Sequence, residues 1–108
     1  MMKQNTKKTF NLLSTKATVI YQEKVEDEDG KWIFGKTHFS KNDVEIYIST
    51  KDESGKKIDA RNLEITLRHE LFHYILDVLY FRECGQNETL VEWLAQATYY
   101  LNKQGLNI

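Results

Sequence analysis

The sequence predicts an α+β domain, a strand-rich first half followed by two helices, and two changes of pattern carry that expectation. Up to Ser49 the apolar residues recur at every second position, most clearly in Val44-Glu45-Ile46-Tyr47-Ile48-Ser49, as a half-buried strand requires. From Ala60 onward they recur at every fourth position, as one face of a helix requires. With 108 residues, 41% of them hydrophobic, the chain has the length and apolar content for one core, so residues 1–108 are read as a single domain.

Met1 to Lys8 is polar and basic, with no acid before Glu23, and is expected to fray. Phe10 to Val25 is rich in Thr, Val, Ile and Tyr, and the alternation of Ala17, Val19 and Tyr21 with Thr18, Ile20 and Gln22 suits one or two strands. Glu26-Asp27-Glu28-Asp29-Gly30 is an acidic turn closing on a glycine, and Trp32-Ile33-Phe34 follows it, which predicts a hairpin. Gly35 marks a bulge or a close approach of another element. After the polar break Ser40-Lys41-Asn42-Asp43 comes the strand Val44–Ser49. These strands are expected to form an N-terminal antiparallel sheet.

Asp59 or Asn62 can cap a first helix with apolar positions Leu63, Leu67, Leu71, Ile75 and Leu79. That helix must end by Gly85. Asn87 can cap a second, whose stripe is Leu90, Val91, Leu94, Ala97, Thr98 and Leu101. Proline is absent, so no Pro-rich linker or docking segment is expected.

Fifteen Lys and Arg against sixteen Asp and Glu leave a formal charge of −1, which gives no general attraction to nucleic acid or to anionic lipid. No stretch reads as a signal-peptide core or as an apolar membrane span, and the single cysteine, Cys84, has no partner for an internal disulfide. A cytoplasmic protein that binds neither nucleic acid nor membrane is the expectation.

The first helix carries His69-Glu70-Leu71-Phe72-His73, an H-E-x-x-H motif. Histidines at i and i+4 share one helix face, so both imidazoles can reach one ion while Glu70 flanks it. Zinc prefers tetrahedral nitrogen and oxygen ligands, and a catalytic site uses three protein groups and leaves the fourth position to water. Such water ionises near a pKa of roughly 7, and a carboxylate beside it can take its proton during attack on a carbonyl. Zn2+ is therefore the expected cofactor, with His69 and His73 as ligands and Glu70 as general base. A third ligand must come from elsewhere, and the second helix offers Glu88 and Glu92, again i and i+4 on one face.

Asn87-Glu88-Thr89-Leu90-Val91-Glu92 resembles the N-E-x-x-x-D element of the gluzincins, the thermolysin-like zinc peptidases. That resemblance implies that Glu88 binds the metal and that Glu92, standing where the family has Asp, orients a ligand histidine. Glu88 to Ala95 is also similar to the E-x-x-A-N-x-F-A element of the ImmA/IrrE-type metallopeptidases, with Val91 in place of Ala and Glu92 in place of Asn. Together with Thr66-Leu67-Arg68-His69-Glu70-Leu71-Phe72-His73, the pattern over residues 63–97 resembles small phage or prophage metallopeptidases. The resemblance implies a minimal zincin-like fold. In that layout an antiparallel edge strand, here Val44–Ser49, borders the cleft and can take a peptide by backbone pairing. It also implies a bacterial or phage-infected cytosol, while the small size of the chain argues for a shallow cleft and a larger protein partner that supplies specificity.

Geometry sets a condition on this reading. If the first helix ran on to Glu83, its end would lie roughly 15 Å beyond His73, and Glu88 would start too far away. The helix must stop near Leu79 and residues 80–87 must fold back, or else Glu92 is the third ligand. An oxyanion stabiliser is also required, and Tyr99, His38 and Tyr74 are the candidates. Cys84 has no Cys or His in ligand spacing and is expected to be a loop residue. The function expected is hydrolysis of a peptide bond in a protein or peptide substrate by a zinc metallopeptidase. The alternative is a non-catalytic regulatory or interaction domain that keeps a zincin-like fold; the sequence tilts against it because Glu70, which does nothing for metal binding, is retained, and a structural zinc needs no base there.

Overall fold

The computed structural model describes residues 6–41 and 43–108. Among these described residues six strands, β1 (Thr6–Leu12), β2 (Thr15–Gln22), β3 (Val25–Glu26), β4 (Trp32–Ile33), β5 (Gly35–Phe39) and β6 (Asp43–Ser49), precede three helices, α1 (Ala60–Val78), α2 (Arg82–Gly85) and α3 (Glu88–Lys103). The α+β order is as expected. Lys7 and Lys8 are paired in β1, opposite Ile20 and Val19, instead of fraying; residues 1–5 and Asn42 of the polar break lie outside the described residues.

The main sheet has the order β1-β2-β6-β5. It is mixed, not antiparallel: β1 and β2 form a hairpin and β5 pairs antiparallel with β6, but β2 and β6 run parallel, with Ala17 beside Val44 and Val19 beside Ile46. Val44–Ser49 is therefore an interior strand, and the edges are β1 and β5, of which β5 is the one beside Thr66 and Glu70 of α1. Alternation reports which side of a strand is buried, and it does not report what lies beside the strand. Val44, Ile46 and Ile48 are all buried on the helix side.

The chain passes from β2 to β6 through the β3–β4 hairpin and β5. Asp27 closes that hairpin by accepting from the backbone N–H of Asp29 and Lys31 at 2.9 Å each, and Gly30 takes φ +79°, open to glycine at little cost. Buried Ser49 ties the hairpin to the sheet, donating from Oγ to the Ile33 carbonyl and accepting from the Val25 N–H, both at 2.8 Å.

Helix α1 begins at the Asp59 cap, whose carboxylate accepts from the Asn62 N–H at 2.8 Å. Leu63, Leu67, Leu71, Ile75 and Val78 pack on the core formed by Ala17, Val19, Val44, Ile46, Ile48 and Tyr74. The helix ends where the third-ligand condition needs it to. Tyr80 adopts φ +65°, Tyr80 N–H donates to the Asp77 carbonyl at 3.1 Å and Phe81 N–H to the Leu76 carbonyl at 2.8 Å, a Schellman ending with tyrosine in the left-handed position usually given to glycine. The short helix α2, absent from the sequence reading, completes the turn back. Leu79 lies past the helix end and is exposed.

Asn87 caps α3, accepting from the Leu90 N–H at 3.0 Å. The buried positions of α3 are Val91, Ala95 and Tyr99, while Ala97 and Leu101, assigned to the apolar stripe, are exposed. The helix is rotated so that Ala95 and Tyr99 close on Ile65 of α1.

Gly35 is a point of close approach. A Cβ there would lie 2.9 Å from the Tyr47 carbonyl, 3.1 Å from Thr66 Cγ2 and 3.2 Å from Glu70 Cγ. Only a residue without a side chain lets β5 sit this near to α1. Gly35→Ala is expected to lower stability by about 1–3 kcal/mol, read as a reduced denaturation midpoint; an unchanged midpoint would mean that strand and helix part freely.

Candidate metal centre

Two rows of side chains face each other across α1 and α3. On α1 the row is Ile65, His69 and His73; on α3, running the opposite way, it is Tyr99, Ala95, Glu92 and Glu88. The apolar ends meet in the Ile65–Ala95–Tyr99 cluster, and the polar ends meet at the two histidines.

There, Glu88 reaches both imidazoles: its Oε2 lies 2.9 Å from His69 Nε2 and its Oε1 3.0 Å from His73 Nε2. The other ring nitrogens are held separately. His69 Nδ1 donates to Glu92 Oε1 at 2.8 Å, and Gln96 donates to the second Glu92 oxygen at 2.6 Å. His73 Nδ1 donates to the Gly85 carbonyl of α2 at 2.6 Å. With a proton fixed on each Nδ1, the Nε2 lone pairs are those left for an ion. His69, Glu70 and His73 can each place one ligand atom within 4.8 Å of the others, a group that can hold a metal ion. Two imidazole nitrogens and a carboxylate are the donor types a divalent transition metal takes.

Glu70 is buried and turned toward the edge strand, where Thr37 Oγ1 donates to its Oε1 at 2.7 Å. Burial pushes the Glu70 carboxyl above its usual range, against the opposing pull of the Thr37 hydrogen bond and the two imidazoles. For His69, burial works to lower the pKa, but the carboxylates of Glu92, Glu70 and Glu88 outweigh it and hold the imidazole above its usual value.

These residues line one cleft of about 720 Å³ between β5 and the two helices. Its floor is His69, Glu70, His73, Glu88 and Glu92, and its far wall is Trp32, Ile33, Phe34, Gly35, Thr37 and Phe39. Trp32 and Phe34 meet edge to face at 4.6 Å, and Trp32 is anchored by its Nε1–H to the Lys51 carbonyl at 2.9 Å. The cleft is thus polar on the helix side and aromatic on the strand side.

The fold brings His69, Glu70, His73, Glu88 and Glu92 together. It does not bring the oxyanion candidates there. Tyr99 is buried at the apolar end of its row, Tyr74 is buried in the core with its hydroxyl 2.9 Å from Thr15 Oγ1, and His38 stands opposite Glu45 on the face of the sheet away from α1. Cys84 is exposed on α2. Sequence reasoning missed Thr37, the Gly85 carbonyl and the Trp32–Phe34 wall; the one local signal was Gly35 two residues before a threonine, which a strand places on the same face.

Comparison with family models, with curated proteins and with solved structures returned no match. Among the described residues no helix is long and apolar enough to cross a membrane.

Proposed function

We propose that this chain is a minimal zincin-like metallopeptidase that hydrolyses a peptide bond with zinc held by His69, His73 and Glu88 and with Glu70 as general base. The observation that carries the reading is the convergence of both Nε2 atoms on one Glu88 carboxylate, in a cleft that Glu70 shares. A bound zinc ion would supply Lewis acidity, lowering the pKa of a water to roughly 7 and polarising a carbonyl.

The chain's own groups do the rest. Glu92 and the Gly85 carbonyl fix the tautomer and direction of the two imidazoles. Glu70 takes a proton from the attacking water as its oxygen bonds to the carbonyl carbon, and returns it to the departing amide nitrogen when the C–N bond breaks, leaving a carboxylic acid, which keeps water's second proton, and an amine. Thr37 occupies Glu70 Oε1, and Oε2 has no partner among the described residues, so one oxygen is held and the other is left to move the proton.

The substrate reads as an extended peptide laid along β5. Ser49 N–H donates to the Phe34 carbonyl and Ser40 N–H to the Asp43 carbonyl. Antiparallel alternation therefore turns the backbone groups of residues 36 and 38 toward β6 and those of 35, 37 and 39 toward the open edge. This replaces Val44–Ser49 as the pairing strand. A larger protein partner that extends this shallow cleft, and the cytosol of a bacterial or phage-infected cell, belong to the same proposal.

The test is metal analysis of protein purified without chelator, followed by titration of the zinc-loaded protein with acetohydroxamate in a calorimeter. Near-stoichiometric zinc and hydroxamate binding are expected. Full zinc occupancy with no hydroxamate binding would leave a non-catalytic regulatory domain as the better reading, because a closed four-ligand site has no exchangeable position.

A further inference from the structure

We infer that Thr37 is a positioning residue for Glu70: it grips the carboxylate from the edge strand and so ties the place of the base to the strand along which the peptide lies. The inference rests on the peptidase reading above and assigns a role to a residue outside the H-E-x-x-H motif and the second helix.

Three features of the structure carry it. Thr37 Oγ1 donates to Glu70 Oε1 at 2.7 Å and lies 3.3 Å from the Glu70 backbone carbonyl, so one hydroxyl faces both the side chain and the main chain of the base. Gly35, two residues earlier on the same face of β5, makes room for the methylene: Glu70 Cγ lies 3.2 Å from where a Cβ would stand. A β-branched side chain on a strand is restricted at χ1, so the direction of the Thr37 hydroxyl is set by the backbone of β5.

Glycine and threonine thus form a cradle in which the base has one oxygen anchored. A free glutamate side chain samples several rotamers, and a base displaced by about 1 Å loses up to about 10²-fold in rate. The backbone N–H and carbonyl of Thr37 lie on the open edge of β5, so a peptide paired there would touch the same residue that holds the base. A shift of the edge strand moves both partners together and preserves their spacing.

The experiment compares zinc-loaded wild type, Thr37→Val and Thr37→Ser. Valine keeps the shape and removes the donor; serine keeps the donor and loses the methyl that restricts it. With a fluorescence-quenched peptide library as substrate, Thr37→Val is expected to lower kcat about 10- to 100-fold with KM within about twofold. Zinc content should stay at the wild-type value, the melting temperature should fall by the modest amount that one lost, part-buried hydrogen bond costs, and Thr37→Ser should recover that loss together with most of kcat. A second readout is independent of turnover: acetohydroxamate, whose protonated group would lie beside Glu70, should bind Thr37→Val about tenfold more weakly than wild type and Thr37→Ser nearly as well as wild type.

Equal kcat and equal hydroxamate affinity in wild type and Thr37→Val overturn the role of Thr37 while leaving the peptidase reading intact. Loss in Thr37→Ser as deep as in Thr37→Val overturns it too, because that pattern follows the methyl and not the hydroxyl. Should Thr37→Val fail to fold, the same comparison is made between Thr37→Ala and Thr37→Ser. Wild-type protein that holds zinc but neither cleaves the library nor binds acetohydroxamate overturns the peptidase reading itself, and the role of Thr37 falls with it.

Discussion

Glu70→Gln is expected to bind zinc as wild type does and to lose hydrolysis by about a hundred- to ten-thousand-fold, the range a general base contributes. The side chain keeps its shape, and glutamine can still accept from Thr37 Oγ1, so the contact now seen at 2.7 Å survives. What disappears is the capacity to take a proton. Since the proposed ligand set is His69, His73 and Glu88, binding and turnover should separate in this variant. The check pairs a zinc titration with kcat/KM on the peptide library. If Glu70→Gln loses zinc as fully as a histidine variant, Glu70 is a ligand and the assignment of roles is wrong.

His73→Ala, or His69→Ala, is expected to abolish stoichiometric zinc binding, since either removes one of two imidazole donors from a three-ligand site. Zinc at about a hundred times its Kd would add about 2.7 kcal/mol to the wild-type protein, a rise of roughly 10 °C or more in Tm for a chain of this size. The histidine variants should show no such rise. Glu88→Gln should weaken zinc more than Glu92→Gln, because Glu88 reaches both Nε2 atoms whereas Glu92 acts through His69 Nδ1; a change of the Glu92 kind costs about 10- to 100-fold. Reversal of that order would transfer the ligand role to Glu92. Acid should strip the ion in every variant that binds it, since protons compete for the imidazoles, the more so at His69, whose pKa the surrounding carboxylates raise.

Much of the candidate site was legible because it is local. His69, Glu70 and His73 sit on one turn-spaced helix face whatever surrounds them, and Glu88 and Glu92 repeat that spacing on a helix announced by the Asn87 cap. The condition that the first helix stop near Leu79 could also be stated from the rise per residue. How it is met could not. The ending depends on Tyr80 accepting a left-handed conformation that its residue type disfavours, followed by a four-residue helix too short to leave a period. Tyr99 shows the reverse case: the spacing that set it in line with Glu92 and Glu88 also carried it along α3 to the apolar end of the row, against Ile65.

The sequence by itself determined the order of strands and helices, the apolar face of α1, the turn at Gly30 and the five acidic and imidazole groups that meet in the cleft. Periodicity, capping and motif spacing all act within a few residues. Only the tertiary structure decided that β2 and β6 run parallel, that β5 is the open edge beside the site in place of Val44–Ser49, and that Thr37 and the Gly85 carbonyl hold the groups of the site. Strand neighbours and cross-element hydrogen bonds join residues 12 to 33 positions apart along the chain. Nothing in either local segment records its partner, since the pairing is selected by how all the apolar faces can be buried at once.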